Sequence, residues 1–164
     1  MPGASIDKPR PVLPNDKVNR LLVGLPRREP ERHSLRCDLV RLIDSVLLVS
    51  TGAPVRHVYF PIDCTISSTA AAGMCAPLGI GLIGREGMLG RLLLLGHGAL
   101  QMQATVGFGS RAWRISRTKF IRAANASPAL QRRVANYFYL TLDYLIQKAA
   151  CTHFIRSKRA WQVG

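Results

Sequence analysis

The stretch Val55-Arg56-His57-Val58-Tyr59-Phe60-Pro61-Ile62-Asp63 decides how this chain is read. Apolar and polar residues interleave with the two-residue period of a strand that keeps one face in a core. The run stops at Pro61, which has no N–H to give to a β-ladder. Moving outward, the same grammar recurs. Short apolar runs at 39–43 and 46–49 precede it, flanked by Asp44-Ser45 and Thr51-Gly52. Runs at 65–71, 78–83, 101–108 and 111–115 follow it. Many short strands between glycine and proline turns predict a mainly β domain: a sandwich, roll or barrel.

At both ends the period turns helical. Asn15 or Asp16 can cap a short helix whose apolar positions are Val18, Leu21, Leu22 and Leu25, ended by Pro26. A second short helical piece is expected around 30–35. Past Ser116 a short helix is expected over 118–124, and Ser127-Pro128 then supplies an N-cap with proline in the first helical position. Leu130, Val134, Tyr137, Phe138, Thr141, Leu142, Leu145 and Ala149 mark one stripe along that last helix. So long a stripe must be covered either by the chain's own β domain or by a second subunit, and the dimer is the expectation favoured here.

With 164 residues, the chain supports one domain with a sizeable core. Net charge is +14 and unevenly distributed: residues 87–164 hold twelve bases and one acid, Asp143, against eleven bases and eight acids in residues 1–86. Such a field favours polyanions, although a solvated basic surface explains it equally well. No secretory signal is visible, because prolines and charges occupy the place of an apolar core segment. Residues 64–84 are uncharged over 21 positions, but Gly73, Gly79, Gly81, Gly84 and Pro77 suit two strands and a turn better than a membrane helix. A cytoplasmic protein without a membrane partner is expected.

Catalytic and metal signatures are sparse. Cys37, Cys64, Cys75 and Cys151 form no close pair, and His33, His57, His97 and His153 are scattered, so buried free thiols and no metal are expected. Gly79-Ile80-Gly81-Leu82-Ile83-Gly84 fits the dinucleotide pattern G-x-G-x-x-G, but that motif needs a helix at its glycines and an acid about twenty residues on. After Glu86 no acid occurs until Asp143, so a glycine-rich strand and turn is the better reading. Neither a nucleophile elbow nor a phosphate-loop lysine is present, and no enzyme activity is expected.

Gly52-Ala53-Pro54-Val55-Arg56-His57-Val58-Tyr59-Phe60-Pro61 resembles the G-x-P-[IV]-x-x-V-Y-F segment of the Crp/Fnr regulators. Ile80-Gly81-Leu82-Ile83-Gly84-Arg85-Glu86-Gly87-Met88 is similar to another stretch of that family, as are Ser127-Pro128-Ala129-Leu130 and Ala149-Ala150-Cys151-Thr152 at the two ends of its dimerisation helix. The resemblance covers about residues 17–154. It implies a cyclic-nucleotide-binding-type β-roll (a jelly roll) at 17–126 with short flanking helices, after a flexible leader at 1–16, and a dimerisation helix at 127–153. It also implies an unidentified small effector.

Two departures from the family qualify it. Where cyclic-AMP binders carry Gly-Glu and Arg-Ser, the matching places are Gly90-Arg91 and Met102-Gln103, counted back from Ala104-Thr105-Val106. An acid has become a base and an arginine a thioether, so neither cyclic AMP nor cyclic GMP is expected, and no other cofactor is. By this matching the effector pocket is expected at Leu82, Gly90, Arg91, Met102, Gln103 and Ala104. After Cys151 the family's pattern fades, so 154–164 are expected to be an aberrant tail without a helix-turn-helix, leaving only weak, nonspecific DNA contact. Two alternatives stay open: a basic accessory protein that binds nucleic acid or membrane nonspecifically, and an inert fragment of a frameshifted regulator gene.

Overall fold

The computed structural model describes residues 11–12, 19–23, 25, 35–72, 75–109 and 111–160. Two four-stranded antiparallel sheets face each other. One has the order β1 (Pro11–Val12), β2 (Cys37–Arg41), β8 (Arg111–Ser116), β4 (His57–Pro61). The other runs β3 (Leu47–Val49), β7 (Gln103–Phe108), β5 (Thr65–Ala72), β6 (Cys75–Ile83). A 3₁₀ turn at Arg91–Leu95 precedes β7, and two helices follow β8: α1 (Arg117–Ala126) and α2 (Pro128–Ala160). This is the β-roll with a long C-terminal helix that is expected of a cyclic-nucleotide-binding-type domain.

The deciding stretch forms β4. Val58 and Phe60 pair with Ile115 and Trp113 of β8, and all four are buried in the roll's core with Ile66 and Val106 of the opposite sheet. Phe120 of α1 packs on Phe60, their ring centroids 6.3 Å apart, and ties the helical layer to that core. Ser127 caps α2 as expected: its Oγ accepts a hydrogen bond from the Leu130 N–H at 3.2 Å.

Several expectations need correcting. Pro11 and Val12 pair with Asp38 and Cys37, so that part of the expected leader is a strand, while the rest of 1–16 lies outside the described residues. Near the first expected helix the described residues make a single turn set by Asn19. Its Oδ1 accepts from the Leu21 N–H, and its Nδ2 donates to the Pro61 and Gly87 carbonyls. The expected caps Asn15 and Asp16, and nearly all of 30–35, fall outside the described residues. The last helix runs past the expected boundary at 153, because residues 154–160 continue it. No described helix is long and apolar enough to cross a membrane.

Candidate functional site

A cavity of about 600 Å³ lies between the β5–β6 face of the roll and α2. Strand residues Ser68, Ile80, Gly81, Leu82 and Ile83 form one wall. The helix supplies the facing wall through Tyr137, Leu140, Thr141, Tyr144, Leu145 and Lys148, three- and four-residue neighbours on one face. Glu86, Arg91 and Met102 complete the lining.

Arg91 comes from the 3₁₀ turn that follows Gly90. Gly90 has φ of 104°, the left-handed region, and a Cβ there would sit 3.0 Å from Val58 Cγ2, so glycine is needed to launch the turn. The turn carries the Arg91 guanidinium to 5.8 Å from the centre of the Tyr137 ring, within reach of a cation–π contact. Its Nε is buried and donates to no described acceptor. Tyr137 is seated against Gly87, where any Cβ would run into the phenol, and Thr141 Oγ1 donates to the Tyr137 carbonyl at 2.7 Å. Burial pushes the Tyr137 phenol up, while the Arg91 charge pulls the other way without cancelling it. Glu86 is turned back on its own loop, its Oε1 accepting from the Gly84 N–H at 2.9 Å.

Of the residues expected in an effector pocket, Leu82, Arg91 and Met102 are in this wall and Gly90, Gln103 and Ala104 are not. Gly90 has no side chain and directs its Cβ position at Val58. Gln103 faces solvent, and Ala104, paired with Ser68, is buried with only a methyl to offer. The helix wall is what the sequence reading missed. Its signal was available: Leu140, Tyr144 and Lys148 form an i, i+4 ridge beside Tyr137, Thr141 and Leu145.

The stripe expected to meet a second subunit divides in the structure. Leu130 and Val134 are each 1% exposed and belong to the chain's own core, which corrects their assignment to a partner surface. Tyr137, Thr141 and Leu145 face the cavity. Phe138 is half-buried, whereas Leu142 and Ala149 are exposed, as are Tyr139 and Ile146. The glycine pattern at 79–84 lies on β6 and its following turn, with no helix at its glycines. Cys37 and Cys64 are free and buried, and burial, reinforced by Asp38, pushes the Cys37 thiol up to about 12. Among the described residues no group of three or more His, Cys, Asp or Glu is placed to hold a metal.

No family model and no curated protein matches the chain. Solved structures do match. The catabolite activator protein of Thermus thermophilus is similar at TM-score 0.65 and 13% identity, over 82% of this chain and 63% of that one. The c-di-GMP-responsive global regulator CLP of Xanthomonas campestris is similar at TM-score 0.63 and 17% identity, over 73% of this chain and 61% of that one. The sensor domain of the transcriptional regulator DNR from Pseudomonas aeruginosa is similar at TM-score 0.54 and 14% identity, over 78% of this chain and 81% of that domain. The chain thus spans a little under two thirds of the two longer regulators and most of the sensor domain. Its structural neighbours are Crp/Fnr-type regulators and cyclic-nucleotide-binding domains.

Proposed function

We propose that the chain is the effector-sensing and dimerisation module of a Crp/Fnr-type transcription regulator, working in the cytoplasm. One observation carries this reading: the cavity has the roll for one wall and α2 for the other, so whatever fills it acts on both at once. A small molecule bound there stabilises the arrangement in which it touches both walls, and can bias the helix only by that differential contact. The exposed apolar positions Leu142, Ile146 and Ala149, with the half-buried Phe138, lie beside the cavity face and are the surface for a second copy. DNA contact through the basic surface of residues 87–164 is weak and without sequence preference.

Gly81 offers a direct test, because its Cβ position meets nothing within 4 Å and it lies in the cavity wall. Gly81→Trp therefore fills the cavity without a backbone clash. A small-molecule extract of bacterial cells, fractionated and assayed by thermal shift, should contain a fraction that raises the melting temperature of the wild type but not of G81W. An extract that shifts neither protein, or both equally, contradicts the reading.

The accessory-protein alternative keeps one observation in its favour. Arg20, Arg132 and Arg133 line an open groove of about 560 Å³ beside Glu86 and Asn136, suited to an anionic surface. Binding of that kind falls steeply with salt, whereas effector binding in an apolar cavity does so far less.

A further inference from the structure

We infer that the cavity between β6 and α2 takes an organic monoanion with an extended apolar body, its carboxylate on Arg91 and its hydrocarbon along α2 toward Leu145. This assignment rests on the sensing role proposed above and names the ligand class of the same site. Its first support is the state of Arg91. A guanidinium does not deprotonate and carries five donors, and leaving one buried without an acceptor is costly. The Tyr137 ring face eases the charge but accepts no conventional hydrogen bond from Nε. Among the described residues no carboxylate pairs with Arg91, and Glu86, the acid in the same wall, is engaged by the Gly84 N–H. The guanidinium charge thus has no anionic partner among the described residues, and a carboxylate in the cavity would supply one.

The remaining wall sets the body of that ligand. Ile80, Leu82, Ile83, Met102, Tyr144 and Leu145 present carbon surface, and the Thr141 hydroxyl already donates to the Tyr137 carbonyl. Ser68 and Lys148 are further polar side chains of the lining, too few to pair the many polar groups of a polyhydroxylated or nucleotide body. The Glu86 carboxylate in the wall also opposes a doubly charged head, which favours a carboxylate over a phosphate monoester. From Tyr137 to Leu145 the helix rises about 12 Å, the length of a chain of roughly ten carbons.

Decanoate, decanol and cyclic AMP are therefore the probes, titrated calorimetrically into the full chain below micellar concentrations. Decanoate should bind at least about tenfold tighter than decanol, because only the acid makes the charge-assisted pair. Arg91→Gln should erase that preference while leaving decanol within about threefold, Arg91→Lys should keep part of it, and Arg132→Gln, in the neighbouring groove, should leave it unchanged. Equal binding of acid and alcohol by the wild type overturns the anion assignment, whatever the variants do, and leaves the cavity standing. The anion assignment fails likewise if the preference survives in R91Q, and the apolar carboxylate is the wrong class if cyclic AMP binds tighter than decanoate. If neither decanoate nor decanol binds, or if both bind unchanged in G81W, the inference fails, while the sensing reading stands or falls on the extract assay with G81W.

Discussion

The first two turns of α2 and its continuation past Tyr137 are one unbroken helix in opposite surroundings. Leu130 and Val134 are each 1% exposed against the roll, whereas Leu142 is 45% and Ile146 59% exposed. Full burial of a leucine contributes roughly 1.5–3 kcal/mol, so the proximal turns are held by the β domain itself. The distal turns have the cavity on one side and solvent on the other. Isolated helices are marginal in water, so in the proposed sensor the order of the distal half would depend on what fills the cavity and on what covers its outer face. An element anchored at one end and dependent on partners at the other is suited to reporting occupancy.

Cysteine chemistry should show this contrast most strongly. Cys37 is fully buried and its thiol is pushed up to about 12, whereas Cys151 on distal α2 is exposed. Because the thiolate is the reactive form, native-state alkylation followed by site mapping should label Cys151 at least about a hundredfold faster than Cys37. Comparable rates would mean that the roll opens as readily as the helix end.

Stability should divide the helix in the same way. Leu130→Ala should cost about 3 kcal/mol, a drop of roughly 6–12 °C in melting temperature, while Tyr139→Ser, at a 65% exposed position of the distal half, should stay within about 0.5 kcal/mol. Equal costs would remove the distinction between anchored and dependent turns. The outer apolar face has its own test. Sedimentation of the wild type should give about twice the 18.0 kDa chain mass, and Leu142→Asp with Ile146→Asp should give monomers that remain folded. A monomeric wild type at high micromolar concentration contradicts the dimer.

The smallest effect belongs to the rim of the roll. Burial nudges the Asp63 carboxyl up, but the Arg111 side chain and backbone N–H, both at 2.7 Å, outweigh it and hold it below the usual carboxylate range. A lowered folded-state value contributes stability above the unfolded value, near pH 4, that is lost as pH falls through the folded one. With the Asp63 side chain 40% exposed, Asp63→Asn should cost no more than about 0.5–1 kcal/mol at pH 7, and the difference should vanish in acid melts. A cost that persists undiminished below pH 3 would assign Asp63 a role other than its charge.

All the strands but β1, which lies in the expected leader, were legible because each one carries its own evidence. Val58 and Phe60 in β4, and Thr65–Ala72 as β5, announce themselves by short-range pattern and by the turns around them. Ser127-Pro128 did the same for the start of α2. The cavity was not legible in that way, since its walls lie about sixty residues apart and meet only through packing. Two faces of α2 also merged into one apparent stripe. Leu130 and Val134 serve the core, Thr141 and Leu145 the cavity, and Leu142 and Ala149 the outside, all at spacings that one amphipathic helix would share. The 3₁₀ turn that delivers Arg91 was hidden for a different reason. Leu92-Leu93-Leu94-Leu95 has no period to read, and the left-handed Gly90 and Gly96 that bound it, with φ of 104° and 80°, show their conformation only in the fold.

A ligand in this cavity should order distal α2 against the roll. Hydrogen exchange along α2, with and without the extract fraction that stabilises the wild type, tests it directly. Binding should slow exchange tenfold or more, confined to residues 137–148 of the helix and the facing 80–83 of β6, with no such change in G81W. Unchanged exchange across 137–148 on binding, or the same slowing in G81W, would contradict it.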